Sequence, residues 1–149
     1  MSSGTRLNRL QRLMHLAVVA ENQVGKELGL AKTQVEAENH KLKQLTGYQA
    51  EYRSELKSLE NASTRGQVVQ GYVQFLAQLD QAIRQQKMAV HRAERAVQER
   101  LIAWRHKRVR VKSMESLCAS EKKDLIASTE KRRSNELDDR VTRTPPNAS

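Results

Sequence analysis

Proline is almost missing from this chain: its two prolines stand side by side at Pro145 and Pro146, so residues 1–144 contain no obligatory helix breaker. The one cysteine, Cys118, excludes an internal disulfide framework and any multi-cysteine metal site, and predicts a reduced, intracellular chain. Aromatic residues make up 3% of the sequence, too little for a thick conventional core. Leu, Ile, Val and Phe together number 32 of 149 residues, at the edge of what a compact globule needs, and favour a fold that buries only a narrow seam. No stretch approaches the roughly 20 consecutive apolar residues of a membrane span, and Met1-Ser2-Ser3-Gly4 leads into basic and apolar residues without a signal-peptide core. Any membrane role is therefore expected to be peripheral.

Charge is what the chain has in excess. Its 27 Lys and Arg against 17 Asp and Glu give a formal net charge of +10, which suits nucleic acid, anionic lipid or an acidic protein face without choosing among them. Apolar residues are also ordered: from Leu7, Leu10, Met14 and Ala17 to Leu56 and Leu59 they advance by alternating steps of three and four, the a/d repeat of a coiled coil. Glu21, Glu38 and Gln49 interrupt this stripe, as polar residues that fix register do at some cost in stability. From Glu60 to Gly71, Asn61, Ser63, Thr64, Gly66 and Gly71 replace long helix formers and predict a turn. A second three-four series runs from Tyr72, Leu76 and Leu79 through Arg100, Trp104 and Lys107 to Cys118, Glu121 and Leu125, with Arg100 and Lys107 expected to lay their stems along the seam.

One short central connection favours an antiparallel arrangement. The expected fold is all-α: a single elongated coiled-coil domain over residues 1–134, an antiparallel hairpin of helices at about 5–60 and 70–134 joined by a turn at about 61–69. A disordered tail is expected over 135–149, where apolar residues are scarce. Gly25, Gly29 and Gly47 fall inside the first helix, as sites of bending or close contact or as tolerated losses of helix propensity.

Nothing in the sequence supplies catalytic chemistry. There is no Gly-rich phosphate loop with its Lys and Ser/Thr, and His15, His40, His91 and His106 form no HExxH pair. Glu94, Glu99 and Glu115 have ordinary salt-bridge opportunities with the abundant bases, and Cys118 falls on the apolar stripe as a small hydrophobe. No catalytic residue, cofactor site or metal site is assigned, and the chain is expected not to be an enzyme.

Two surfaces stand out instead. Arg105, Lys107, Arg108, Arg110 and Lys112 form the densest basic cluster, beside Trp104, and read as an electrostatic docking site for phosphates, lipid headgroups or an acidic protein rim. No zinc finger, RNA-recognition signature or base-reading arrangement accompanies it, so no specific nucleic acid is expected, and a nucleic-acid-associated basic coiled-coil adaptor is the alternative reading. Near the turn, Leu45, Tyr48 and Tyr52 recur at helical spacing on the first helix, as Phe75, Leu79 and Ala82 do on the second. Because Leu45, Tyr52 and Leu79 also lie on the closing stripe, the group reads either as pure core or as a mixed core and partner surface.

These features together resemble the FliJ family, small cytoplasmic components of the bacterial flagellar type III export apparatus. The resemblance rests on Arg6-Leu7-Asn8-Arg9-Leu10-Gln11-Arg12-Leu13, on Leu45-Thr46-Gly47-Tyr48-Gln49-Ala50-Glu51-Tyr52, and on Phe75-Leu76-Ala77-Gln78-Leu79-Asp80. It implies a protein that engages the export ATPase ring in a stalk-like manner, contacts the cytoplasmic linker region of the membrane export gate, and associates with export chaperones to couple or regulate export. It further implies a cytoplasmic location with peripheral association at the inner-membrane export apparatus. The gate-binding surface would fall on Leu45, Tyr48, Tyr52, Phe75, Leu79 and Ala82, while Lys41 and Gln86 depart from the family's pattern of Gln and His.

Overall fold

The computed structural model describes residues 3–61 and 66–143. These form two α-helices, α1 (Ser3–Asn61, 59 residues) and α2 (Gly66–Arg143, 78 residues), which pack against each other. The chain divides into two compact units. One joins residues 1–23 to residues 105–149, and the other is the continuous stretch 24–104.

Within the 24–104 unit the partners run in opposite directions. Glu27 meets Arg100, Glu38 meets Gln86, Gln49 meets Asp80 and Glu55 meets Tyr72, so numbers rise on α1 as they fall on α2. The same antiparallel order holds in the other unit, where Arg6 pairs with Glu121 and Glu21 with Arg108. Of the turn expected at 61–69, Asn61 closes α1 and residues 66–69 belong to α2, while residues 62–65 lie outside the described residues. Helix α2 likewise continues past 134 to Arg143, and only residues 144–149 of the expected tail lie outside the described residues. Pro145 is the first proline of the sequence, and proline disfavours the helical conformation of the residue before it, so nothing local stops the helix earlier. Residues 126–142 are exposed at every position.

Burial follows the heptads. On α1 every position of the three-four series from Leu7 to Leu59 is buried or half-buried. In the 24–104 unit the most buried apolar side chains are Leu28, Leu79, Ile83, Val90 and Ala93. In the other unit Ala17, Val111 and Met114 form a core cluster with Leu10, Met14 and Val18 packed against it, and Cys118 is buried as a small hydrophobe should be. The series on α2 breaks once: Arg100 is exposed and pairs with Glu27 at 3.6 Å, while Leu101 and Ala103 are half-buried beside it. A guanidinium that can reach an acid in solvent avoids the cost of desolvation.

The polar interruptions are paired. Gln86 Nε2 donates to the backbone oxygen of Glu38 at 2.8 Å and also to its carboxylate; Gln34 Nε2 donates to the same carboxylate at 2.8 Å, with Lys41 Nζ 3.8 Å away. Gln49 donates to Asp80, which Arg53 also approaches at 3.7 Å. Such pairs leave no buried polar side-chain atom unsatisfied among the described residues, and a shift of one helix by a heptad would break them all. The hydrogen bond from Gln86, followed by the charges and bonds of Lys41, Gln34 and Arg92, holds the Glu38 carboxyl below its ordinary range. A carboxyl lowered on folding contributes stability above its unfolded pKa, and that contribution is lost as pH falls through the lower folded value. Melting temperature should therefore fall on acidification below the usual glutamate range, and less steeply in Glu38→Gln than in the parent chain. Circular dichroism melts across acidic pH check this, and identical slopes would contradict it.

Gly29 has open space where a Cβ would stand, and a Cβ on Gly25 would meet the Trp104 ring at 3.6 Å, an ordinary contact. Both lie inside α1, where glycine costs about 0.5–1 kcal/mol relative to alanine. Gly25→Ala with Gly29→Ala should stabilise the chain by about 1–2 kcal/mol, read as a raised denaturant midpoint.

Candidate protein-docking surfaces

The aromatic surface is built entirely within the 24–104 unit. Tyr48 is 50% exposed and Phe75 40% exposed, whereas Tyr52 is half-buried. Tyr52 meets Phe75 edge-on, with ring centroids 4.7 Å apart, and Tyr72 at 6.0 Å. Edge-to-face contacts of this kind hold rings in fixed orientations and add to their burial. Tyr72 donates its hydroxyl to Glu55 at 3.1 Å, and that bond to an acid raises the pKa of the phenol. Leu79 is buried in the seam, and Leu45 and Ala82 are half-buried. Of the six predicted residues, Tyr48 and Phe75 thus offer the most side chain to solvent, and Leu79 offers the least.

Heptad reasoning assigned Tyr72 to the seam alone and overlooked its place in the aromatic cluster. Tyr52, Tyr72 and Phe75, with Gln67, Val68 and Gly71, line a shallow groove of about 330 Å³. The available signal was the spacing of Val68, Tyr72 and Phe75, which puts an aliphatic and two aromatic residues on one side of α2. Gln86 is half-buried and hydrogen-bonded to Glu38 across the helices, whereas Lys41 stands 61% exposed with its ammonium 3.8 Å from the same carboxylate.

The basic cluster belongs to the other unit. Arg105, Arg108, Arg110 and Lys112 are exposed, and Lys107 is half-buried. Arg108 pairs with Glu21 at 3.1 Å. The four histidines are exposed, and no group of three metal-binding side chains could hold an ion among the described residues. No described helix is long and apolar enough to cross a membrane.

Two long helices packed along one seam, with exposed aromatic and basic side chains, define an all-α helical-hairpin protein. Residues 6–148 match the family model described as Flagellar FliJ protein, and the chain belongs to that family. It is therefore a component of the flagellar protein export apparatus, in a family that is not catalytic. No match was found among curated proteins or solved structures.

Proposed function

We propose that this chain couples the flagellar export ATPase ring to the membrane export gate. The ring would hold it in a stalk-like manner, and the gate's cytoplasmic linker region would meet the surface of Leu45, Tyr48, Tyr52, Phe75, Leu79 and Ala82. Export chaperones are further partners, and the protein works in the cytoplasm, peripherally associated with the inner-membrane apparatus. Family membership over residues 6–148 supports this reading, and the observation that carries the gate contact is the exposure of Tyr48 and of Phe75, the latter held edge-on by Tyr52. Exposed aromatic side chains anchored by neighbours make strong binding hot spots, because little rotamer freedom remains to be lost.

The role needs no active site. Binding energy that differs between two arrangements of the export assembly shifts their populations, and a chain touching both ATPase and gate links the two equilibria. The basic residues Arg105, Lys107, Arg108, Arg110 and Lys112 are the proposed electrostatic docking site for an acidic protein rim.

A quantitative pull-down of the full chain against the cognate flagellar ATPase and the gate's cytoplasmic domain, with nucleic acid as competitor, tests the proposal. Binding to either export component, undisturbed by nucleic acid, is expected. Failure to bind both, together with tight and competable nucleic-acid binding, would replace it with the basic-adaptor reading.

A further inference from the structure

The unit formed by residues 1–23 and 105–149 has two unlike faces. Its seam is fixed by Ala17, Val111 and Met114, and in an antiparallel coiled coil the g positions of both helices flank the seam on one side and the e positions on the other. Leu13 and Leu117 take g positions and Leu16 the neighbouring outer position, so this register sets all three on the same face. They are 41%, 51% and 62% exposed, respectively. Arg9 and Arg110 share the face with them, both exposed. The opposite face carries Arg105, Arg108, Lys112 and Glu115, with the exposed aliphatic Ile126 further along α2 and no exposed leucine.

This unit carries 15 Arg and Lys against eight Asp and Glu, and the whole excess lies in two segments, because residues 113–149 are balanced at seven of each sign. Residues 1–23 and 105–112 hold eight Arg and Lys against a single acid, Glu21, which Arg108 already neutralises at 3.1 Å. Further along α2, Glu121 is half-buried beside Arg6, and Asp124 marks the far end of the leucine face.

We propose that the face of Arg9, Leu13, Leu16, Arg110 and Leu117 docks on an anionic bilayer surface. The occupant has to supply negative charge around an apolar phase. Nucleic-acid phosphates meet the first need and leave the leucines wet, and no exposed aromatic residue lies on this face to stack a base. An anionic bilayer meets both: headgroups attract the arginines, and the leucines enter the boundary of the acyl region while the arginine stems follow them and keep their charges at the headgroups. Contact of this kind is peripheral, in keeping with the lack of a described spanning helix. It is also separable from gate docking, since every residue of the face lies outside the 24–104 unit.

Flotation of the full chain with phosphatidylglycerol-containing vesicles and with phosphatidylcholine vesicles tests the proposal. Binding to the anionic vesicles alone, weakened by salt, is expected. Leu13→Gln with Leu16→Gln and Leu117→Gln, at exposed positions where glutamine keeps helix propensity, should lower it at least tenfold while helicity persists. As a second arm independent of the leucines, Arg9→Gln with Arg110→Gln should weaken binding by about 30-fold, and Arg105→Gln with Lys112→Gln, an equal loss of charge on the other face, by much less. No vesicle binding, retained binding by the leucine variant, or equal losses from the two basic pairs would overturn the proposal. The first of these would leave an acidic protein as the occupant.

Discussion

Replacing Tyr48 by alanine should weaken binding to the gate's cytoplasmic domain by about 30-fold, the effect of a hot-spot aromatic, and leave the melting temperature of the free chain nearly unchanged. Tyr48 is 50% exposed and makes no ring contact with the Tyr52 cluster, so its removal subtracts partner contact without opening a core. Tyr52→Ala should behave differently. Its ring is half-buried and supports both Phe75 and Tyr72, so the substitution should cost the free chain about 2 kcal/mol as well as weakening the gate contact. Phe75→Ala should fall between them, since the ring is 40% exposed yet rests on Tyr52. Calorimetric titration beside thermal melts separates the three. A loss of stability without any loss of binding in all of them would mean that the cluster is core and nothing more.

The second large effect concerns two valines only two residues apart. Val111 is 5% exposed in the cluster with Ala17 and Met114, whereas Val109 is 64% exposed. Val111→Asp places a carboxylate in that seam without a partner and should cost about 3 kcal/mol or more. Val109→Asp keeps the new charge in water among arginines and should change stability by no more than about 0.5 kcal/mol. Urea unfolding of both variants gives the comparison, and similar midpoints would show that the α2 register is wrong here.

That comparison also shows why so much of the fold could be read from the sequence. A two-stranded coiled coil has one seam, and its positions are set by counting threes and fours, so Leu7 to Leu59 fell inward as the spacing requires. Counting failed where chemistry competes with period. Arg100 has the spacing of a seam residue, but Glu27 holds its guanidinium at the surface and Leu101 and Ala103 are half-buried beside it. The end of α2 was misplaced for a related reason. Residues 135–143 have little apolar material to bury, which reads as disorder, yet they contain no breaker and continue as an exposed helix.

The site was legible in part. Tyr48 and Phe75 could be found by helical spacing, and their exposure separates them from Leu79, which the same spacing cannot distinguish. Tyr72 was hidden because one residue can both close a seam and join an aromatic cluster, and a periodic reading assigns only the first role. The convergence of Lys41, Gln34 and Gln86 on Glu38 was out of reach, since it depends on which turn of α2 faces which turn of α1. Leu13, Leu16 and Leu117 were visible as leucines off the stripe, but the seam register was needed to place them on one face.

The most direct test of the coupling role is amide hydrogen exchange of the full chain, alone and in complex with the gate's cytoplasmic domain and, separately, with the export ATPase. The gate should slow exchange on both helices around Tyr48 and Phe75, and the ATPase should protect a separate set of amides. Protection by the gate that avoids residues 45–52 and 75–82, or no protection by the ATPase, would contradict the coupling role.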